Sequence, residues 1–158
     1  PCSAPPARED CIVLDAVQDA GNVGTVLRSA AAAGIRHVVL GAGCADAYSP
    51  KVLRAGMGAH FALTLHERVD LRDWLAGYPH RTLATALTER NNFSLYELDL
   101  RPPSAWIFGN EGSGVSPDIL AAADATVKIP MQGAVESLNI AQAATICLFE
   151  QMRQRLAA

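Results

Sequence analysis

The chain has 158 residues, half of them hydrophobic and 18% charged, with a net charge of −3 and a pI near 5.8. This length can bury one full core and the composition excludes a disordered chain; the longest apolar runs, such as that around residues 29–35, are too short to span a bilayer. The acidic balance also excludes a general nucleic-acid binder, so any RNA contact must rest on a local basic patch or on another domain.

Residues 1–10, PCSAPPARED, hold no apolar stretch of the signal-peptide kind and are rich in Pro and Ala. They read as a linker stub, with another domain expected upstream and the catalytic domain over 11–158. The four cysteines, at positions 2, 11, 44 and 147, lack CxxC spacing, and the four histidines do not cluster with them. Free thiols in a reducing cytoplasm are therefore expected, and no metal.

Residues 11–17, CIVLDAV, predict a short buried strand, followed by the loop QDAGN. In VGTVLRSAAAAG, Val23, Val26, Leu27 and Ala30 recur at helical spacing, and Gly34 is a helix stop. HVVL at 37–40 is the next strand. Ser49 and Pro50 open a helix over SPKVLRAGMG, as N-cap and first-turn residue. FALTL (61–65) is a strand, LRDWLAGY (71–78) a helix and TLATAL (82–87) a strand. Residues 88–103 read as a polar loop. SAWIFG (104–109) is the fifth strand, Ser116-Pro117-Asp118 opens a short helix, and ATVKIPM (125–131) is the sixth strand. The last helix takes 139–156, with Ile140, Ala143, Ala144, Cys147, Leu148 and Met152 on one face. Strands alternating with helices predict an α/β fold: an open, mostly parallel sheet with helices on both faces.

In such sheets ligands bind at loops leaving the carboxyl ends of strands, and three of these loops carry unusual polarity. DAGNVGTVLR follows the first strand, FGNEGSGVS the fifth and IPMQGAVESLN the sixth. The glycines at 109, 112 and 114 have the spacing G-x-x-G-x-G, which is neither a dinucleotide fingerprint nor a phosphate loop. A turn needing positive φ, or close approach of backbone to a flat ligand, would each explain them. Asn22, Ser137 and Asn139 are candidate helix caps as well as candidate ligand contacts. Glu111 is either solvated or an orienting carboxylate, and Arg28 is a lone cation among small apolar residues.

In order and content, NVGTVLRSAAAAG, FGNEGSGVS and IPMQGAVESLNIAQAATICLFE resemble the three signature motifs of the SpoU (TrmH-like) RNA ribose methyltransferases of the SPOUT superfamily. The resemblance covers the chain after residue 10. It implies a deep trefoil knot at the C-terminal end, an exception to the rule that chains do not thread. It further implies an S-adenosylmethionine pocket formed by the knot, a homodimer in the cytoplasm, and an upstream RNA-binding domain outside this chain. Gly109, Ile129, Met131 and Leu138 match cofactor-binding positions. Arg28 matches the catalytic arginine, and Asn22, Glu111, Ser137 and Asn139 match the other polar motif positions.

The implied reaction is methyl transfer to a ribose 2′-hydroxyl of structured RNA, ribosomal RNA before transfer RNA. No His lies in the three motifs, their one Cys, Cys147, sits in an apolar helical pattern, and an arginine is costly to deprotonate. Arg28 is therefore expected to bind RNA phosphate and to stabilise the developing alkoxide, with Ser137 or a substrate phosphate relaying the proton. Glu111 is expected to orient Arg28 or the Asn22 amide. Arg28, Lys51 and Arg54 are the expected RNA contacts, with Arg8 and Arg90 as lesser ones. An inactive RNA-binding module and a base-methylating relative are the alternatives; a generic dinucleotide-binding protein is disfavoured by the absent fingerprint.

Overall fold

The computed structural model describes residues 9–86, 92–135 and 137–157; Arg8, Arg90 and most of the expected linker lie outside them. Seven strands form one sheet: β1 Cys11–Leu14, β2 His37–Gly41, β3 Thr64–Val69, β4 Arg81–Thr85, β5 Asn92–Ser94, β6 Ser104–Phe108 and β7 Ala125–Lys128. Their order is β3-β2-β1-β6-β4-β7-β5, and every pairing is parallel.

The central strands alternate between two apolar cores, as period-two side chains must in a sheet covered on both faces. Ile12, Leu14, Val38, Leu40, Trp106 and Phe108 face helices α1 Ala20–Ala32, α2 Pro50–Gly56 and α5 Ile140–Ala157. Cys11, Val13, Val39, Ala105 and Ile107 face α3 Leu71–Gly77 and α4 Pro117–Ala122. The two sheet edges differ from the sequence expectation. β3 runs over 64–69 rather than 61–65, and Ala59–Ala62 form a 3₁₀ turn before it. β5 lies inside the expected polar loop. Both are edge strands with largely exposed, polar side chains, which leave no hydrophobic alternation to read.

Local signals explain the helix ends. Ser49 accepts a hydrogen bond from the Val52 amide (3.4 Å), with Pro50 in the first turn. Gly34 takes φ +83° at the end of α1. Glu9 and Asp10, inside the expected linker, are held by the domain: Asp10 accepts from the Ser104 amide (3.0 Å) and Arg155 (2.9 Å), and Glu9 pairs with His37 (2.7 Å). The buried face of α5 includes Ala141, Ala144, Cys147, Leu148 and Gln151, while Ala143 and Met152 are half-buried. The Gln151 amide donates to Leu100 O (3.1 Å) and Ser104 Oγ (2.9 Å), and accepts from the Trp106 indole (3.2 Å). A buried amide is tolerated because its hydrogen-bonding capacity is met.

Candidate active site at the carboxyl ends of four neighbouring strands

β1, β6, β4 and β7 are consecutive in the sheet and parallel, so their carboxyl ends stand side by side. The three polar loops leave three of them. Residues 15–19 lead from β1 to α1, 109–116 from β6 to α4, and 129–139 from β7 to α5.

The loop after β6 is tightly self-packed. Asn110 and Gly114 exchange two backbone hydrogen bonds (3.0 and 2.9 Å), and Gly114 takes φ +73°. A Cβ on Gly109 would lie 2.1 Å from Val115 N and 2.2 Å from Gly114 C. The missing side chain at 109 is thus demanded by the loop itself. Gly112 is different: a Cβ there would meet only Asn110 Oδ1, at 3.5 Å.

This loop and the one after β1 hold each other through reciprocal bonds from side chain to backbone. Glu111 accepts from the amides of Gln18 (2.8 Å) and Asp19 (3.1 Å). Asn110 donates to Ala16 O (2.8 Å) and accepts from the Gly112 and Ser113 amides (2.9 and 3.1 Å). From the other side, Asp15 accepts from both the amide and the hydroxyl of Ser116, each at 2.7 Å. Clamped between them, Ala16 adopts φ 57°, a conformation that non-glycine residues rarely take. Glu111 therefore acts on the peptide ahead of α1, and its influence reaches Asn22 through Asp19.

Asp19, not Asn22, caps α1, accepting from the Asn22 amide at 2.9 Å. The Asn22 side chain is left free to accept from Asn139 Nδ2 at 3.1 Å. Asn139 Oδ1 in turn accepts from the Ala141 and Gln142 amides (2.8 and 3.4 Å) and caps α5. Capping and inter-loop contact coexist in this one side chain. Behind it Thr145 donates to Ala141 O (2.8 Å), so the 2.6 Å contact with Ser29 uses the Ser29 proton and ties α1 to α5.

Ile129, Met131, Ser137 and Leu138 lie on the loop after β7. Ile129 and Met131 are half-buried, Ser137 and Leu138 exposed, and Val135 is 69% exposed. Among the described residues, no backbone hydrogen bond involves 130–135, 137 or 138. Half-buried apolar side chains beside exposed loop residues suit an adenine ring, which needs apolar faces and a few backbone partners at its edge. The residues present therefore fit the cofactor that the motifs imply.

Arg28 stands six residues beyond Asn22, about 9 Å further along α1 and a third of a turn around it. It is exposed and makes no hydrogen bond or ion pair with a described residue. Lys51 and Arg54 are exposed on α2. The described thiols cannot act as bases: burial raises Cys11 from its ordinary 9.0 to about 12 and lifts Cys44 and Cys147 as well. Among the described residues no group of three His, Cys, Asp or Glu side chains could hold a metal, and no helix is long and apolar enough to cross a membrane.

Four site residues went unrecognised in the sequence: Asp15, Asp19, Asn110 and Ser116. Asp19 offered a signal, an N-cap type immediately ahead of a helical repeat. Asp15 and Ser116, 101 residues apart, offered none.

A parallel sheet with a cluster of interlocked loops at its strand ends defines a ligand-binding α/β domain of the switch-point kind. The family follows from comparison: a model described as the SpoU rRNA Methylase family matches residues 10–149, and the chain belongs to that family. The 23S rRNA (guanosine(2553)-2'-O)-methyltransferase RlmP of Bacillus subtilis is 40% identical over 140 residues, covering 87% of this chain and 56% of the relative. The SpoU methyltransferase AviRb of Streptomyces viridochromogenes, solved in complex with the cofactor AdoMet, matches with a TM-score of 0.85 at 34% identity, over 97% of this chain and 64% of that one. A structure described as giving insight into 2-OH methylation of C/U34 on tRNA matches with a TM-score of 0.81 at 31% identity, over 97% and 100%. The chain spans about half the length of the curated relatives it matches.

Proposed function

We propose that this chain is the catalytic domain of an S-adenosylmethionine-dependent RNA 2′-O-methyltransferase acting on ribosomal RNA. The observation that carries this reading is the Glu111–Asp19–Asn22–Asn139 series of hydrogen bonds. It joins all three signature motifs of a family whose members include the ribosomal RNA methyltransferases above. Transfer RNA is the second reading, favoured by the full-length match to the tRNA-related structure.

The cofactor, when bound, supplies a methyl group activated by a sulfonium; the loop 129–139 is where the residues suit it. The chain's own residues then have two tasks. One is to hold the ribose oxygen in line with the methyl carbon, a matter of positioning that the interlocked loops serve. The other is to lower the cost of ionising the 2′-hydroxyl. Arg28 binds the adjacent phosphate and stabilises negative charge on the oxygen, while Ser137 Oγ or a substrate phosphate relays the departing proton to solvent. Asn22 and Asn139 fix the floor on which these groups stand.

The resemblance supports a threaded C-terminal crossing, a homodimer and a cytoplasmic enzyme. The greater length of the relatives supports a further RNA-binding domain outside these 158 residues. The test is direct: radiolabelled S-adenosylmethionine is incubated with the chain and with ribosomal or transfer RNA, and the methyl group is located by resistance of the adjacent linkage to alkali. Label on a base, or no binding of S-adenosylhomocysteine by calorimetry, would sink the proposal.

A further inference from the structure

The surface built by α2 and the 3₁₀ turn carries an exposed aromatic that nothing in the active site uses. Phe61 is 98% exposed and Met57 69%, with Leu53 and Tyr48 also exposed. Lys51, Leu53 and Arg54 are exposed on α2, whose Val52 and Gly56 are buried, and the exposed Met57 follows as its C-cap. An isolated exposed leucine is ordinary, but four large apolar side chains interleaved with cations on one short hairpin are not.

The hairpin is also rigidly mounted. A Cβ on Gly24 of α1 would lie 2.4 Å from Ala55 Cβ, so α1 and α2 are in direct backbone contact. Met57 and Gly58 take successive left-handed conformations, φ 51° and 86°, and turn the chain sharply. His60 points inward to Ala47 O at 2.6 Å and its ring lies 5.7 Å from that of Tyr48. Phe61, the next residue, is thereby forced outward.

Charge says what the face meets. Residues 20–62 hold four of the thirteen basic residues and one of the sixteen acidic ones, so they carry +3 against −6 for the rest of the chain. The acids nearest this face are engaged: Asp46 accepts from the Tyr48 amide (2.8 Å) and Glu67 from the Ala47 amide (2.9 Å). Arg28 is exposed on α1, one helical turn beyond the Gly24 that packs against α2.

We infer that this face binds an unpaired stretch of RNA, with a base stacked on Phe61 and the strand's phosphates on Lys51, Arg54 and Arg28. The inference rests on the reading of the chain as an enzyme acting on RNA, and it names the class of substrate: a loop or bulge rather than a regular duplex. Stacking needs only a flat apolar ring held still, and every nucleobase offers one face to it. A double helix keeps its bases inside and cannot use Phe61.

The test uses the full 158-residue chain as wild type and as Phe61→Ala, Phe61→Leu and Phe61→Trp. A short fluorescein-labelled RNA of mixed sequence is titrated by anisotropy, single-stranded and annealed to its complement. Loss of the ring by Ala or Leu should weaken single-strand binding roughly tenfold or more, and Trp should retain it. Duplex binding should be the same for all four proteins. Lys51→Gln and Arg54→Gln should each reduce the salt slope for the single strand by about 0.7. Wild-type single-strand affinity in the Leu variant, or equal losses for single strand and duplex, overturns the inference. So does a Phe61→Ala protein that keeps its RNA affinity but sediments as a smaller species, which would make the face a contact between copies of the chain. Calorimetry with S-adenosylhomocysteine separates the two levels: absent binding in the wild type refutes the proposed activity, whatever Phe61 does to RNA.

Discussion

Replacing Gly109 by Ala separates two reasons for a glycine. A Cβ there would lie 2.1 Å from Val115 N, 2.2 Å from Gly114 C and 2.5 Å from Gly114 O, all backbone atoms of the same loop. Reaching ordinary contact near 3.5 Å requires a movement of more than about 1 Å. That movement opens the paired Asn110–Gly114 bonds, each worth about 1 kcal/mol. It also pulls Glu111 from the Gln18 and Asp19 amides, whose charge-assisted bonds are discounted because Glu111 is exposed and the freed amides rehydrate. The expected cost is about 2–4 kcal/mol, which at a urea slope of about 2 kcal/mol/M moves the unfolding midpoint by roughly 1–2 M. Gly112→Ala, with ordinary contact at 3.5 Å, should move it by less than about 0.5 kcal/mol. If Gly109→Ala unfolds at the wild-type midpoint and loses only S-adenosylhomocysteine binding, the glycine serves the ligand and the packing account is wrong.

Asn139→Asp keeps the acceptor that caps α5 and removes the donor to Asn22. Stability should stay within about 1 kcal/mol, since a carboxylate suits a helix start, while methyl transfer falls at least tenfold; unchanged turnover would reduce Asn139 to a cap. Arg28→Ala should leave stability and S-adenosylhomocysteine affinity unchanged and abolish methyl transfer, and a wild-type rate would remove Arg28 from the mechanism. Cys11 sets an alkaline limit, because burial and the neighbouring Asp10 and Glu9 hold its folded pKa at about 12 against an ordinary 9.0. Its contribution is complete below pH 9.0 and is lost as pH rises through that window, by up to about 1.4 kcal/mol per pH unit. Melting curves from pH 8 upward should therefore decline less steeply for Cys11→Ala than for wild type.

The central strands, the helices and the three loops were legible because each leaves a local mark: apolar runs, helical spacing, Ser49-Pro50, Gly34. The edge strands are marked weakly or not at all: the apolar FALTL marks only the start of β3, and residues such as His66, Glu67 and Asn92 carry no apolar alternation. The motif residues stand out in the sequence as a group, but their hydrogen-bond partners do not. Glu111 holds the amides of Gln18 and Asp19, 93 and 92 residues away, and sequence offers no measure of such a distance. Asn22 looked like a cap because it is a capping type near a helix start, but Asp19 stands three residues earlier and takes that place. The buried face of α5 is shifted from its hydrophobic stripe because Gln151, a polar residue, is held inside by Leu100, Ser104 and Trp106.

The fastening of Gln151 to Leu100, Ser104 and Trp106, together with Arg155 on Asp10, fixes α5 at its far end. The span between β7 and α5 is then strung between two immovable posts. A ligand that settles against residues 129–139 should reshape that span first, and reach α1 through the bond from Asn139 to Asn22. Deuterium uptake should record this as slowing in the span and at the start of α1, with the amides of α5 keeping one rate throughout.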